Sequence, residues 1–433
     1  MPDSFAAFRL RYVPQFALGR MVSTVGAQFV SVAIGWELYE RTNDPWMLGL
    51  VGLAQVAPAL VLTIPAGNVA DRFPRRDVGL AASTLSLLVG LGLAAISWYR
   101  LPVELVYALL VLNGVARAFS GPSTGTLLAQ LLTPQEYQNA YAWIVSSGNL
   151  ASIAGPGLAG LLIAAVGVAW PSYLIAAACQ AVFVGALLTL PSIRAGRGQG
   201  RTISDMFAGV AFIKRSHVYL AAITLDMFGV LLGGAVALLP VYARDVLDAG
   251  PTGLGVLRAA PSLGAMCAAL LSTRLPPWRR PGRVLLTMFA GFGLATIGFG
   301  LSRNVALSLA CLFFVGAFDS INMVIRGTLQ QAITPDHLRG RVAAVSQLFI
   351  GLSNEMGAFE SGATAHFFGA VASVVGGGVG TLAVVGLVMA KWPQLARIGP
   401  LHTLQPEVDW APQEAPDVGL PAARPDRVAH GRR

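Results

Sequence analysis

The sequence predicts an all-α integral membrane protein in which twelve spanning helices form two six-helix bundles. Of its 433 residues, 55% are hydrophobic and 12% are charged, whereas about 25% of the residues of a soluble protein are charged. Twelve apolar runs each provide the roughly 20 residues that cross the hydrocarbon core of a bilayer. A polar segment at 192–216 divides these runs into six and six.

The predicted spans follow one another along the chain with short loops. In the N-terminal bundle, 1–191, they are 13–39, 46–69, 78–99, 104–130, 139–165 and 170–191. In the C-terminal bundle, 217–392, they are 217–243, 251–273, 283–302, 305–331, 340–367 and 370–391. The linker at 192–216 is predicted to hold an amphipathic helix, because apolar residues recur near helical spacing beside Lys214 and Arg215. The stretch 393–433 is rich in proline and charge and is predicted to be a disordered cytoplasmic tail.

Positive charge lies mostly on one side of these spans. If the N-terminus is cytoplasmic, eighteen Lys and Arg residues flank the spans on the inner side. The four on the outer side are Arg41, Arg100, Arg244 and Arg303. Because inner loops are enriched in Lys and Arg, both termini are predicted to be cytoplasmic, and the net charge of +9 does not require a nucleic acid partner. No cleavable signal peptide and no disulfide framework are expected.

The first span carries a polar face that is a candidate lining for a substrate cavity. Its members are Arg20, Ser23, Thr24, Gln28 and Ser31. The alternative is that these groups only pack against neighbouring helices. Arg326 in span ten is a further candidate for the cavity.

A short basic turn, GNVADRFPRR, joins spans two and three. Its aspartate can accept hydrogen bonds from a helix N-terminus. Its arginines can donate to carboxylates or to exposed carbonyls. The order G-x-x-x-D-R-x-x-R-R resembles motif A of the major facilitator superfamily, with Pro74 where the family usually has Gly; a generic positive-inside turn is the alternative. The resemblance implies a latch on the cytoplasmic side rather than a substrate site. The predicted residues of this conformational motif are Gly67, Asp71, Arg72, Arg75 and Arg76.

Spans four and five carry two further patterns. Arg117 lies in RAFSG, which resembles motif B of the family, and the resemblance implies a role in proton coupling; a structural arginine bound to a helix end is the alternative. The stretch ASIAGPGLAG in span five resembles motif C, with Gly155, Pro156 and Gly160. Proline removes a backbone donor and glycine permits close packing, so this helix can bend and rock against a partner. The motif C resemblance implies antiport and export, and plain helix packing is the alternative.

The two bundles repeat a short sequence at equivalent places. GTLLAQLLTP (125–134) ends span four, and GTLQQAITP (327–335) ends span ten. Parallel repeats related by an axis along the membrane normal are typical of the two halves of major facilitator transporters, whose substrate site lies near the midplane. The predicted fold is therefore the major facilitator fold with two pseudo-symmetric bundles.

Four carboxylates lie within the predicted spans and are candidates for proton coupling together with Arg117. They are Asp226, Asp319, Glu355 and Glu360. Only pairing, a wet cavity or protonation keeps such groups in a membrane, and a buried carboxylate can bind and release a proton near neutral pH. The alternative for each is a structural ion pair.

Two longer segments are similar to the enterobactin exporter and macrolide-efflux branch of the superfamily. They are WELYERTNDPWMLGLVGLAQVAPALVL (36–62) and FIGLSNEMGAFESG (349–362). The resemblance implies a monomeric, multi-pass transporter of a bacterial inner membrane, surrounded by lipid and driven by the proton gradient without a cofactor or metal. It implies export of a small hydrophobic or amphipathic molecule, such as a siderophore, drug or secondary metabolite, by proton antiport.

Three other functions remain open at this point. An uptake symporter on the same fold is the first, and the motif C resemblance disfavours it. A polytopic membrane enzyme would need a catalytic cluster, but the five histidines show no recurring spacing. A phosphate-binding glycine loop is missing from the sequence, which disfavours direct drive by ATP. A non-transporting receptor is the third alternative, and it would not require the motifs or the intramembrane acids.

Overall fold

The structure is a computed structural model that describes residues 9–193, 203–274 and 278–404. The helices of the N-terminal bundle are α1 (Val13–Thr42), α2 (Pro45–Arg72), α3 (Arg75–Trp98), α4 (Glu104–Gly125), α5 (Pro134–Val166) and α6 (Trp170–Leu188). The linker helix α7 (Ile203–Arg215) and the helices of the C-terminal bundle follow: α8 (His217–Leu232), α9 (Leu239–Val241), α10 (Gly250–Ser272), α11 (Pro281–Leu301), α12 (Val305–Ile333), α13 (Arg339–Phe368) and α14 (Ala370–Lys391).

Among the described residues, eleven helical segments are long and apolar enough to cross a membrane. The remaining predicted span, 340–367, is also a long helix, because α13 has 30 residues. Its sequence includes serine, asparagine, glutamine and two glutamates near its centre, which lowers its hydropathy below that of the other spans. The most polar long helix of the protein therefore carries two of the four predicted proton-coupling carboxylates.

Each bundle is held together by its own helix contacts, and the two bundles meet mainly along two helix pairs, with smaller contacts from α1. In the N-terminal bundle, α1 packs against α5 and α6, and α4 packs against α2 and α3. In the C-terminal bundle, α12 packs against α10 and α11, and α8 packs against α13 and α14. The bundles contact each other through α2 with α13 and α5 with α10.

A similar local sequence occurs in α2 and in α10, one at each of the two main contacts between the bundles. GLAQVAPAL begins at Gly52 in α2, and GVLRAAPSL begins at Gly255 in α10. A β-carbon at Gly52 would lie 2.5 Å from the carbonyl oxygen of Glu355, and one at Gly255 would lie 2.5 Å from that of Pro156. Only glycine permits backbones to approach so closely. Helices α2 and α10 therefore have equivalent roles in the two bundles.

The seventh span differs from the continuous helix predicted over 217–243. Helix α8 ends at Leu232, and after Gly233 and Gly234 the chain continues as a 3-10 turn (Ala235–Leu238), the short α9 and a π turn (Tyr242–Val246). A β-carbon at Gly234 would lie 3.0 Å from both the Gly357 carbonyl oxygen and Ser361 Oγ. The interruption therefore allows the chain to lie directly on α13.

The linker and the tail also pack on the C-terminal bundle. In α7, Phe212 and Ile213 are buried, while Phe207 is exposed; residues 194–202 lie outside the described ranges. The predicted disordered tail starts with packed turns, because Leu395 and Ile398 are buried and Leu395–Arg397 and Leu401–Thr403 are helical turns. Apolar residues recur at every third position in these turns, so the same side of the chain packs on the C-terminal bundle. This spacing explains why the start of the predicted disordered tail is packed. The part of the tail from 405 to 433 lies outside the described residues.

Candidate functional site

An ion pair joins the two bundles near the middle of the membrane helices. Arg117 of α4 donates from Nη1 to Gln55 Oε1 of α2 at 2.7 Å, and the same nitrogen lies 3.4 Å from Glu355 Oε1 of α13. The side chain of Arg117 is 60% exposed and that of Glu355 is 24% exposed. Because Gln55 lies on α2 and Glu355 on α13, the guanidinium of Arg117 reaches the boundary between the two bundles.

A second arginine crosses between the bundles, from α10 to α1. Arg258 of α10 donates from Nη2 to Ser31 Oγ of α1 at 2.5 Å. Arg258 is not among the residues predicted from the sequence. A signal for it was present, because Arg258 lies inside the predicted span 251–273 and meets the same criterion as Arg117, an ionisable residue within the membrane.

The glycines and proline of motif C pack against two helices. A β-carbon at Gly155 would lie 2.7 Å from Gln28 Cβ of α1, so this glycine accommodates α1 within the N-terminal bundle. A β-carbon at Gly160 would lie 2.5 Å from the Pro251 carbonyl oxygen of α10, and the Pro156 carbonyl faces Gly255. Motif C thus forms the α5 side of a contact between the two bundles.

Polar and aromatic contacts extend the closed region to the outer ends of the helices, which are the ends predicted to be extracellular. The Tyr39 hydroxyl donates to Asp245, and Arg244 donates to the Tyr39 carbonyl oxygen at 3.3 Å. His366 Nδ1 of α13 lies 2.8 Å from Asp44 Oδ1 at the start of α2. These contacts all join one bundle to the other. The bundles are therefore in contact at the end that is predicted to be outer.

Motif A lies at the opposite, inner end of α2 and α3, and its bonds stay within the N-terminal bundle. Arg75 donates to Thr126 Oγ1 at 2.5 Å and pairs with Asp71 at 3.4 Å, and Arg76 donates to the Leu190 carbonyl oxygen at 3.1 Å. Arg72 is exposed, and Gly67 is buried. Within the described residues, these hydrogen bonds and ion pairs of Arg75 and Arg76 stay inside the N-terminal bundle.

Asp226 and Arg326 form an ion pair inside the C-terminal bundle. Their side chains are 4% and 7% exposed, and Asn322 donates to Asp226 Oδ1 at 3.1 Å. Tyr219 lies beside this pair and donates to Gln330 Oε1 at 2.8 Å. Arg326, a predicted cavity residue, and Asp226, a predicted proton carrier, are thus both buried and paired with each other.

The other two predicted carboxylates have fewer partners. Within the described ranges, Asp319 of α12 is partly buried and makes no hydrogen bond or ion pair. Glu360 of α13 is also partly buried, and among the described residues its carboxylate accepts a hydrogen bond only from the Ser361 hydroxyl, at 3.5 Å. Neither residue joins the two bundles, which distinguishes both of them from Glu355.

The polar face of α1 is largely engaged within its own bundle. Arg20 donates to Thr124 Oγ1 at 3.2 Å, Ser23 donates to Gln180 Oε1 at 2.7 Å, and Thr24 donates to the Arg20 carbonyl oxygen at 2.9 Å. These bonds correspond to the helix-packing alternative for the three residues. In the part of the chain that the structure describes, no group of His, Cys, Asp and Glu could hold a metal ion.

Comparisons with known proteins agree with this architecture. The family model described as transmembrane secretion effector matches residues 3–414. The protein named enterobactin exporter EntS from Shigella boydii serotype 4 (strain Sb227) is 28% identical over 386 residues, which cover 88% of this chain and 91% of that protein. A relative of the same name from Escherichia coli O1:K1 / APEC has the same identity and coverage.

Two solved structures share the fold at low sequence identity. The nucleoside transporter NupG has a TM-score of 0.69 and 13% identity, with 88% of this chain and 99% of that chain covered. A bacterial homolog of the human lysosomal transporter Spinster, in an inward-facing and occupied conformation, has a TM-score of 0.67 and 13% identity, with 92% and 99% covered. The predicted all-α membrane fold is thereby confirmed. The chain belongs to the transmembrane secretion effector family of the major facilitator superfamily.

Proposed function

We propose that this protein is a secondary active transporter that exports a small hydrophobic or amphipathic molecule in exchange for protons. The observation that carries the proposal is the Arg117–Glu355 ion pair, because it joins the two bundles at mid-membrane while they are also in contact at the predicted outer end. Alternating access moves the bundles relative to each other around a midplane site. An ion pair between the bundles therefore changes whenever access changes.

The charge of Glu355 follows from the position of Arg117. When the bundles separate on the outer side, Glu355 loses a guanidinium that belongs to the other bundle. An unpaired carboxylate in a membrane is costly, so Glu355 binds a proton that arrives from outside. When the outer side closes again, Arg117 returns to Glu355 and favours the ionised form, and the proton leaves towards the inner side. The cycle thus moves protons inwards.

The resemblance of Gly155, Pro156 and Gly160 to motif C and the exporter names of the relatives support outward movement of the cargo. Those names also support a siderophore, or a related drug or secondary metabolite, as the cargo. The family comprises transporters, so the membrane-enzyme alternative is excluded. We propose that the protein is a lipid-surrounded monomer in a bacterial inner membrane, and the Lys and Arg distribution supports cytoplasmic termini.

The test is transport by purified protein in liposomes under an imposed pH gradient, with a panel of siderophores and lipophilic drugs as cargo. For wild type we expect proton flux in the direction opposite to cargo flux. Glu355→Gln is expected to retain exchange of cargo for cargo and to lose proton-driven transport, because its amide cannot release a proton. Glu360→Gln is the matched control on the same helix and is expected to remain coupled.

Three results would contradict the proposal in different ways. Cargo and protons that move together would identify an uptake symporter on the same fold. Loss of coupling in Asp319→Asn, with coupling intact in Glu355→Gln, would assign the proton to Asp319. A lack of proton flux with every cargo on the panel would favour the receptor interpretation.

A further inference from the structure

Arg258 is a positive charge within a spanning helix that contacts no carboxylate. Among the described residues its guanidinium makes one hydrogen bond, to the neutral Ser31 hydroxyl at 2.5 Å, and no ion pair. Glu355, the carboxylate at the boundary between the bundles, pairs with Arg117 instead. A guanidinium has five N–H donors and is always charged, and a charge within a membrane is costly unless it is compensated. The Ser31 hydroxyl therefore satisfies one donor of Arg258 and none of its charge.

The other arginines inside the spans have partners of other kinds. Arg117 and Arg326 each pair with a carboxylate. Arg20 donates to Thr124 and lies over an aromatic ring, and both groups belong to its own bundle. Arg258 differs from all three, because its one partner within the described ranges is neutral and belongs to the opposite bundle.

One face of α1 carries further polar groups next to Arg258. Ser31 and Gly35 are one turn apart on this face, and a β-carbon at Gly35 would lie 3.9 Å from Arg258 Nη1. Gln28 lies one turn before Ser31 on the same face. Its stem packs on Gly155, whereas its amide makes no hydrogen bond within the described residues. Because Arg258, Ser31 and Gln28 are all partly exposed, the amide is a second available polar group beside the guanidinium.

These three groups come from both bundles. Alternating access moves the bundles relative to each other around a site that lies between them, so a separation of α10 from α1 takes the Ser31 acceptor away from Arg258. A ligand with an anionic group can replace that acceptor and also compensate the charge, whereas a neutral ligand can do only the first. A guanidinium binds a carboxylate through two parallel hydrogen bonds, and the Gln28 amide and Ser31 hydroxyl can donate to its remaining lone pairs.

We infer that Arg258, Ser31 and Gln28 form an anion-binding subsite, and that the cargo carries an anionic oxygen group, such as a carboxylate, on an apolar body. This inference rests on the proposed function and narrows its cargo from hydrophobic or amphipathic molecules to amphipathic anions. Cationic amphiphiles, which include many lipophilic drugs, are expected to bind poorly, because they bring a like charge to Arg258.

The test is equilibrium binding without a pH gradient. Purified protein in nanodiscs of zwitterionic lipid is titrated calorimetrically at neutral pH with naphthoate, biphenylcarboxylate and indoleacetate, and with the primary amide of each acid. Empty nanodiscs measure partition of the same compounds into lipid. Each acid and its amide have similar shapes and differ in charge, so the ratio of their affinities reports on the anionic group. For wild type we expect at least one acid to bind about tenfold more tightly than its amide.

Substitutions in the subsite are expected to change this ratio in different ways. Arg258→Gln removes the charge and should bring the ratio to about one, whereas Arg258→Lys keeps the charge without the planar fork and should retain part of the preference. Gln28→Ala should weaken acid binding by about threefold and keep the acid preferred; unchanged acid binding in this variant would count against the subsite even if Arg258→Gln does not fold. Arg303→Gln removes an exposed charge at the outer end of the C-terminal bundle and should leave both affinities unchanged.

The outcomes separate this inference from the proposed function. Equal binding of every acid and its amide by wild type would overturn the inference. A preference that is lost in Arg117→Gln but kept in Arg258→Gln would place the anion on Arg117 and also overturn it. Proton-coupled export of a neutral or cationic cargo, unaffected by Arg258→Gln, would overturn the subsite and leave the proposed function standing. An acid preference that depends on Arg258, without proton-coupled transport in liposomes, would support the subsite and overturn the proposed antiport.

Discussion

Replacement of Gly160 by alanine is expected to reduce transport by about ten- to a hundredfold while leaving the protein folded. The added β-carbon would lie 2.5 Å from the Pro251 carbonyl oxygen, a backbone atom that cannot rotate away. Overpacking of this kind costs about 1–3 kcal/mol. Because the clash arises only when α5 and α10 meet, the cost applies to the outer-closed state alone, and each 1.4 kcal/mol changes its population by about tenfold.

Transport in liposomes and the distance between spin labels on the outer loops measure this effect together. Labels at Arg100 and Arg303, one in each bundle, should move apart in Gly160→Ala. The matched control is Gly157→Ala in the same motif, because a β-carbon at Gly157 meets nothing within 4 Å. Equal losses in the two variants would show that the contact between α5 and α10 does not control closure.

Removal of one partner of the buried Asp226–Arg326 pair is expected to be the most destabilising single change of charge in the C-terminal bundle. Arg326→Leu leaves the Asp226 carboxylate buried without its cation, which costs about 3–5 kcal/mol in folded proteins. The double variant Asp226→Leu with Arg326→Leu removes both charges and should be more stable than either single variant. Thermal unfolding of the purified protein in detergent gives the comparison.

A surface ion pair of the same bundle is the control for this experiment. Arg339 and Asp336 lie 2.8 Å apart, but their side chains are 51% and 86% exposed. Arg339→Leu is therefore expected to cost less than about 1 kcal/mol. If Arg326→Leu costs no more than Arg339→Leu, the buried pair does not stabilise the bundle and a functional role for Asp226 becomes the better explanation.

The sequence alone predicted the membrane class, the separate functional motifs and the individual groups of the site, but not the pairing between them. Arg117 and Glu355 were both selected because an ionisable side chain inside a membrane is energetically costly and is therefore usually paired or functional. They are 238 residues apart in the chain, and no local pattern indicates which helices of the two bundles lie side by side. Their contact follows from the meeting of α2 with α13, which is a property of the assembled fold.

The polar face of α1 shows a different limit. Helical spacing correctly placed Arg20, Ser23 and Thr24 on one side of the helix, but spacing does not state what that side meets. In the structure Arg20 and Ser23 bond to α4 and α6 of the same bundle. The interruption of the seventh span was also missed, because Gly233 and Gly234 lie inside an otherwise apolar run whose hydropathy predicts a continuous helix.

The polarity of α13 has a consequence for the way the protein is made. A single charged side chain at the centre of an isolated helix opposes insertion by about 2.5–3.5 kcal/mol, and α13 carries both Glu355 and Glu360. Arg117, the cation that pairs with Glu355, is synthesised long before it, in α4. We therefore expect stable integration of α13 to depend on an N-terminal bundle that is already in the bilayer and offers this charged partner.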